Sequence, residues 1–283
     1  MTLTLTRYRD VTAILADRRF DVPAAPPASH GLAWLRGAVS RFSRGALHAR
    51  RRELATALLP PPAQLRAAAA RLAADPGATP QNVPVTVLAE ALGARKPVPE
   101  QVAVVTPGYF GRVQARLSDV DTSADGLDAI DAAVEDLVAA FGGGRTEQVA
   151  AAIGLLVQAH EATGGLVTRA LAALHHQPPT APLAAVLAET LRYDPPVPTM
   201  RRECLVDHDR PGHGRITAGT VVVLDLAAAN RDPEVFADPD RFDAGRPNLD
   251  RVLTFGSGPR ACPGRDHALA LALGTIEGVR SRG

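Results

Sequence analysis

The sequence predicts a mainly helical protein with a small β region. Most apolar segments repeat at the spacing of an amphipathic helix, and one long segment near the middle is apolar on every face. Only one segment, GRITAGTVVVLDLAAAN, has the β-branched residues typical of strands. A chain of 283 residues can bury a large core, and we expect one domain spanning residues 1–283.

Composition and charge exclude nucleic acids and membranes as the main partners. Lysine and arginine total 31 and aspartate and glutamate total 30, so the formal net charge is only +1. The N-terminal segment has no cationic stretch followed by an apolar run, and no stretch approaches the roughly 20 apolar residues of a membrane span. We therefore expect a cytoplasmic protein.

Helices separated by proline breaks are expected in the N-terminal half. The segment YRDVTAILADRRF places Val11, Ile14 and Leu15 on one helical face, and HARRRELATALL repeats the pattern. Between Pro60 and Pro99, alanine-rich helical runs alternate with prolines, which mark boundaries between elements.

The segment 146–176 predicts one long buried helix. Thr146 can cap its start and Pro178 ends it, which gives a length of roughly 45 Å. A polar island, QAHEATGG, occupies its middle from Gln158 to Gly165. Because polar groups inside a buried helix need partners or a ligand cavity, we expect this island to have a functional role.

A helix, a β segment and a long loop follow in the C-terminal third. The segment APLAAVLAETLRYDPP is typical of a helix that ends at Pro195. The β segment has a turn at Ala218 and Gly219, and RDPEVFADPDRFDAGRPN predicts a loop because it is rich in Asp and Pro.

Only two cysteines are present, which is too few for a disulfide framework. Cys204 lies in a charged, extended stretch and is expected to be an inert surface or half-buried thiol. Cys262 lies in FGSGPRACPG, where Gly256 and Gly258 permit tight turns and close approach of a bulky group. A predicted helix follows, and a helix N-terminus stabilises a thiolate. Cys262 is therefore the candidate metal ligand.

Three ordered motifs resemble those of the cytochrome P450 family of haem-thiolate monooxygenases. FGSGPRACPG resembles the family's cysteine-ligand loop, Phe-Gly-x-Gly-x-Arg-x-Cys-x-Gly, and ETLR resembles its Glu-x-x-Arg motif. NRDPEVFADPDRFD is similar to the segment that precedes the cysteine loop. The resemblance implies a P450-like fold, an oxidoreductase activity and haem b with Cys262 as axial thiolate. Compared with the family, the chain is expected to be truncated at the N-terminus, in the distal roof and at the C-terminal hairpin.

The resemblance also implies roles for other residues of the haem site. Phe255 would shield the sulfur, and Gly256 and Gly264 belong to the loop that surrounds it. Glu189 and Arg192 would form a buried scaffold pair that holds the long loop in place. The expected partners of the haem propionates are cationic side chains, namely His48, Arg52, Arg202 and Arg260.

The polar island departs from the family's pattern on the distal side. The family carries Ala-Gly-x-Glu/Asp-Thr, in which the acid and the alcohol deliver protons, whereas this chain has Glu161 followed by Ala162. Thr163 comes one residue late, about 100° round an α-helix, so it can replace the missing hydroxyl only if the helix bulges locally. Glu161 and Thr163 are the expected catalytic residues, and His160 is expected to face away from the haem.

The leading hypothesis is a haem-thiolate oxidase or monooxygenase of bacterial specialised metabolism. Its substrate would be a small molecule or a carrier-tethered group, and its electrons would come from a ferredoxin. Arg50 and Arg51 are either a cationic docking surface for that ferredoxin or an ordinary solvated face, and the sequence fits both equally well. The alternative is a haem-binding accessory protein or a non-oxygenative haem enzyme, because Ala162 replaces the usual threonine. A third hypothesis is a scaffold without haem.

Overall fold

The computed structural model describes residues 2–111, 124–178, 180–210, 212 and 214–282. The chain divides into two compact units: a β unit formed by Met1–Pro23 and Thr180–Cys262, and a helical unit formed by Ala24–Pro179 and Pro263–Gly283. The expectation of one domain stays a prediction.

The β unit contains a four-stranded sheet and a separate two-stranded hairpin. The sheet has the order β1-β6-β3-β2, in which β1 runs parallel to β6 and the other neighbours are antiparallel. The strands are β1 (Thr2–Leu5), β2 (Phe20–Asp21), β3 (Thr199–Cys204), β4 (His208–Arg210), β5 (Gly214–Ile216) and β6 (Val221–Asp225), with β4 and β5 forming the hairpin.

The sheet is larger than the sequence predicts. The expected β segment supplies β5 and β6, and Gly219 takes the positive φ of 81° required by the predicted turn. However, β5 pairs with β4, whereas β6 pairs with β3 and β1. Strands β1 and β6 are neighbours in the sheet although they lie far apart in the sequence. The alternation Thr-Leu-Thr-Leu in β1 has the two-residue period of a strand, but a four-residue segment is too short to reveal its distant partner.

Among its described residues, the β unit contains the α-helices α1 (Tyr8–Ala16), α10 (Leu183–Tyr193) and α11 (Leu226–Ala229). The predicted apolar face of α1 is buried, with Val11 and Ile14 fully inaccessible to solvent. These side chains belong to one apolar core with Val222 and Leu224 of β6. The loop predicted after α11 contains no helix or strand from 231 to 248.

The helical unit carries the remaining α-helices of the described residues, and most of them contribute side chains to one apolar core. Proline is the first residue of α4 and of α6, where its missing N–H costs no hydrogen bond. These prolines therefore mark boundaries between elements, as predicted. The helices are α2 (Gly31–Ala38), α3 (Gly45–Ala57), α4 (Pro62–Ala73), α5 (Val83–Ala91), α6 (Pro99–Phe110), α7 (Ala124–Ala140), α8 (Glu147–Ala159), α9 (Gly165–Leu174) and α12 (Arg265–Arg280).

The predicted central helix is present but is not α-helical throughout. Helices α8 and α9 are joined by a π-helical turn, His160–Gly164, so the helix is continuous from 147 to 174. The Thr146 hydroxyl accepts a hydrogen bond from the Val149 N–H at 3.2 Å, which confirms the predicted N-cap. The π turn coincides with the polar island.

The described helices include none with the combination of length and apolar character that a membrane crossing requires.

Helices α4 and α12 pack at backbone contact through two glycines of α12. A Cβ atom at Gly274 would overlap the Arg66 carbonyl oxygen, and one at Gly278 would overlap the Ala70 carbonyl oxygen. The contact is closed on its exposed edge by an ion pair between Arg66 and Glu277. Only glycine allows the two backbones to approach this closely.

We expect Gly274→Ala to lower the free energy of unfolding by about 1–3 kcal/mol, because the added methyl group forces the two helices apart. The measurement is urea unfolding of the full chain. Gly144→Ala is the control, since its Cβ would meet only the Thr146 methyl group at 3.8 Å, and it should leave stability unchanged or slightly raised. Equal losses in both variants would contradict the packing argument.

Candidate functional site

The loop that carries Cys262 adopts a conformation that requires glycine. Gly256 and Gly258 both have φ of 68°, in the left-handed region. A Cβ atom at Gly258 would lie 2.6 Å from the Leu15 carbonyl oxygen of α1. The Cys262 N–H donates to the Phe255 carbonyl oxygen at 2.8 Å, which closes the loop, and the Cys262 side chain is exposed. The loop therefore presents its thiol at the surface of the β unit.

The start of this loop is tied to α10 and to Asn230. The Thr254 hydroxyl donates to the Leu191 carbonyl oxygen at 2.6 Å and accepts from the Asn230 side-chain amide at 3.0 Å. The Asn230 carbonyl oxygen accepts from the Leu253 N–H at 2.8 Å. Asn230 is fully buried and Thr254 nearly so. These two side chains were missed in the sequence, because a lone Asn or Thr in a loop carries no distinctive pattern.

Glu189 and Arg192 form an ion pair with no solvent exposure on either side chain. Arg192 Nε donates to Glu189 Oε2 at 2.8 Å, and Arg192 Nη2 donates to Oε1 at 2.7 Å. The two residues lie three apart on α10, which places them on one face. A buried pair of this kind is strongly destabilised when one partner is lost, since the other charge is then unpaired.

The remaining donors of Arg192 hold the long loop. Nη1 donates to the Asn230 and Pro239 carbonyl oxygens at 3.1 and 2.8 Å, and Nη2 donates to the Arg241 carbonyl oxygen at 3.1 Å. All five N–H groups of the guanidinium are thereby used. Glu189 Oε1 accepts from the Asp243 N–H at 2.8 Å. The pair thus fixes the loop between 230 and 243.

Two expected propionate partners lie in the β unit. Arg202 on β3 is 6% exposed and donates to the Arg201 carbonyl oxygen at 2.8 Å. Arg260, in the cysteine loop, forms an ion pair with Asp21 of β2, with Arg260 Nε 2.5 Å from Asp21 Oδ1. Asp21 was missed in the sequence, because nothing local relates it to Arg260.

The two cysteines have opposite environments. The Cys204 thiol is buried, donates to the Val206 carbonyl oxygen at 3.1 Å, and has its pKa raised chiefly by burial. The Cys262 side chain is exposed on a loop that contains Gly256, Gly258 and Gly264. A single accessible thiolate fits an iron whose other ligands come from a porphyrin, so the residues present fit a haem.

The other expected site residues lie in the helical unit. His48 and Arg52 are four residues apart on α3, and both are half-buried. Gly264 is the N-cap of α12, so this helix begins three residues after Cys262, as predicted. Arg50 and Arg51, the expected ferredoxin contacts, both bind Glu147, and Arg51 also donates to the Gly37 carbonyl oxygen at 2.7 Å. The Glu147 carboxylate offsets part of the positive charge that a ferredoxin would bind at these two arginines.

The π turn contains both expected catalytic residues. A π turn contains one residue more than an α turn. Each residue after the extra one therefore takes the position that the residue before it would have in a regular α-helix. The bulge that Thr163 needs in order to replace the missing hydroxyl is thus present, and Thr163 is only 2% exposed. His160 turns toward α6, with its Nδ1 3.5 Å from the Thr106 hydroxyl.

The Thr163 hydroxyl differs from those of other helical threonines. Thr106, Thr168 and Thr275 each donate to the carbonyl oxygen four residues earlier. The Thr163 side chain makes no hydrogen bond to any residue that the structure describes. Its hydroxyl is therefore available to a ligand or a water molecule.

Glu161 is half-buried on the same turn. Burial raises the pKa of its carboxyl group, while the positive charges of Arg41 and Arg169 act in the opposite direction. A carboxyl with a raised pKa holds a proton closer to neutral pH, which suits a group that transfers protons.

Comparison with known proteins finds a family model and relatives that each match part of the chain. A family model described as "Cytochrome P450" matches residues 182–272. The chain is similar to "Putative cytochrome P450 140" of Mycobacterium tuberculosis, with 50% identity over 93 residues, covering 33% of this chain and 20% of that protein. It is also similar to the 20-oxo-5-O-mycaminosyltylactone 23-monooxygenase of Streptomyces fradiae, with 38% identity over 137 residues. That match covers 44% of this chain and 32% of the relative. The chain therefore matches only a fifth to a third of these relatives' lengths.

Solved structures establish the fold of the chain. The structure of P450BioI in complex with hexadec-9Z-enoic acid ligated acyl carrier protein superposes with a TM-score of 0.79 and 24% sequence identity. The match covers 99% of this chain and 84% of that one. The predicted P450-like, mainly helical fold is confirmed.

We expect Glu161→Gln to raise the melting temperature near neutral pH. A carboxyl whose pKa is higher in the folded chain than in the unfolded chain destabilises the fold once the pH exceeds the unfolded value. The gain should therefore shrink as the pH falls below the ordinary value of 4.5. Thermal unfolding across this range checks the prediction, with exposed Glu53→Gln as the control. A lower melting temperature of Glu161→Gln near neutral pH would contradict it.

Proposed function

We propose that the chain is a member of the cytochrome P450 family, that it binds haem b through the Cys262 thiolate and that it acts as an oxidoreductase of the monooxygenase type. The observation that carries the proposal is the accessible thiol on a loop that only glycine can form. Haem bound there would supply the activation of dioxygen for insertion of one oxygen atom into a substrate.

The chain's own residues would hold this group by charge and shape. Cys262 would bind the iron, and Phe255, Gly256 and Gly264 would lie around its thiolate, as the family motif implies. Arginine suits a propionate because its guanidinium binds a carboxylate through two parallel hydrogen bonds. The proposed propionate partners are His48, Arg52, Arg202 and Arg260, the last of which would share its guanidinium with Asp21.

Proton transfer is the proposed role of the π turn. Glu161 would hold a proton at its carboxyl group, whose pKa is raised by burial. The Thr163 hydroxyl would donate a hydrogen bond toward the reacting centre, in place of the threonine that Ala162 replaces. The free hydroxyl and the π turn support this role.

We propose a small-molecule or carrier-tethered substrate of bacterial specialised metabolism. The Streptomyces fradiae relative is named as a monooxygenase of a mycaminosyltylactone, and the P450BioI structure holds a fatty acid ligated to an acyl carrier protein. The proposed electron donor is a ferredoxin. Its support is the family rather than Arg50 and Arg51, whose charges are shared with Glu147.

A second candidate function is a haem-binding accessory protein or a non-oxygenative haem enzyme. Ala162 favours it, because the family's usual alcohol is absent from this position. Consumption of NADPH through a surrogate ferredoxin chain distinguishes the two: the monooxygenase consumes it when substrate is present, and the accessory protein does not.

We expect the haem-supplemented chain, reduced under carbon monoxide, to show the red-shifted Soret band of a thiolate ligand. Cys262→Ser should lose this band, while Cys204→Ser should keep it, because the Cys204 thiol is buried and hydrogen-bonded. Retention of the band in Cys262→Ser would refute the ligand assignment, and haem bound without the band in the wild type would favour the second function.

We expect Thr163→Val to lower NADPH-supported oxidation of a surrogate substrate by about 100-fold, the usual contribution of a positioned proton-transfer group. Oxidation driven by hydrogen peroxide should fall far less, because peroxide brings its own protons. Thr168→Val, which removes an exposed hydroxyl on the same helix, is the control. Equal losses by both routes would mean that Thr163 only packs.

A further inference from the structure

Arg36 is a cation without an anionic partner. It lies on α2, is half-buried, and makes no hydrogen bond or ion pair with any residue in the described part of the chain. Its guanidinium carbon lies 4.6 Å from the centre of the Phe42 ring, a cation–π contact that leaves the N–H groups without acceptors. Partial burial lowers the pKa of Arg36, and the opposing effect of Tyr109 is smaller.

Tyr109, on α6, is an unpartnered donor in the same neighbourhood. Its side chain is fully buried, and its hydroxyl has no hydrogen-bond partner among the residues that the structure describes. Burial raises the pKa of Tyr109 to about 12, with smaller opposing effects from Arg41 and Arg36. Buried polar groups in folded proteins almost always have partners, so an orphaned hydroxyl beside an unpaired arginine indicates an absent acceptor.

Two carboxylates of α7 contact the N-terminus of α2 and are already used. Asp131 Oδ1 accepts from the Leu32 N–H at 2.8 Å, and Glu135 Oε1 accepts from the Gly31 N–H at 3.3 Å. Glu135 also pairs with Arg145. These two acids of α7 satisfy the N-terminus of α2, and neither serves Arg36.

Aromatic rings and helix α8 contact these two donors. Phe42 and Phe110 stack edge-on against Tyr109, with ring centres 5.1 and 5.3 Å away. A Cβ atom at Gly154 of α8 would lie 3.4 Å from the Tyr109 hydroxyl oxygen. Glu161 follows Gly154 by seven residues, which is two turns and roughly 10 Å along the same face of a helix.

We infer that Arg36 and Tyr109 bind the oxyanion of a substrate, a carboxylate or a phosphate on an otherwise apolar chain, at one end of the substrate site. Arg36 would bind two oxygens of the anion, Tyr109 would donate a third hydrogen bond, and the chain would extend toward Glu161. The inference rests on the proposed function only for the reaction that follows binding.

Calorimetric titration of the haem-loaded chain with decanoate, decyl phosphate and decanol tests the inference. At least one of the two anions should bind about tenfold or more tightly than decanol, the gain expected of charge-assisted hydrogen bonds. Preference for decanoate alone identifies a carboxylic acid, and preference for decyl phosphate alone identifies a phosphate ester. Trp34, the single tryptophan of the sequence and two residues from Arg36, gives a local fluorescence signal for the same titration.

Two variants separate recognition from packing. Arg36→Gln should abolish the preference for the anion, whereas Arg71→Gln, which removes an exposed charge on α4, should keep it. Tyr109→Phe should raise the melting temperature of the ligand-free protein, because the unpaired hydroxyl is removed, and yet weaken binding of the anion several-fold. Failure of both anions to bind more tightly than decanol, or an unchanged preference in Arg36→Gln, would overturn the inference.

The titration does not depend on the iron chemistry. An anion preference in a protein that lacks the thiolate spectrum would leave the inference standing and refute the proposed function alone. A thiolate spectrum without an anion preference would support the proposed haem ligand and overturn the inference about Arg36 and Tyr109.

Discussion

The buried ion pair between Glu189 and Arg192 is the interaction on which the candidate site depends. Removing two charges from water is costly, and their attraction offsets that cost only when the remaining donors and acceptors are also satisfied. Here every N–H of Arg192 has an acceptor, and three of those acceptors are backbone carbonyl oxygens of the long loop. The pair therefore holds a segment without regular secondary structure in one conformation within the β unit.

That constraint extends to the cysteine loop through Asn230. Arg192 binds the Asn230 carbonyl oxygen, and the Asn230 side chain binds Thr254 and the Leu253 N–H. Gly256 and Gly258 then turn the chain so that the Cys262 thiol is exposed, and Leu15 of α1 closes the space that a side chain at Gly258 would need. In the helical unit the corresponding feature is the π turn, which contains Thr163, a residue whose side chain makes no hydrogen bond to the described part of the chain.

Local motifs could be predicted from the sequence, and contacts between distant segments could not. The cysteine loop, the Glu189–Arg192 spacing and the Thr146 cap depend on residues close together in the chain, so their patterns are visible directly. The pairing of β1 with β6, the ion pair of Arg260 with Asp21 and the binding of Arg50 and Arg51 to Glu147 each join segments far apart in sequence. The π turn also escaped prediction, because the sequence shows that Thr163 is one residue late but not whether the helix bulges to accommodate it.

Hydrogen exchange measured on the wild type and on Arg192→Lys tests the central claim that this pair holds the cysteine loop. A lysine ammonium keeps the charge but cannot reproduce the five donors of the guanidinium. The account predicts faster exchange of the Asp243, Leu253 and Cys262 amides in Arg192→Lys, with the Ile153 amide of α8 unchanged. Unchanged protection of the Leu253 and Cys262 amides would show that the loop is held without the pair and would contradict the account.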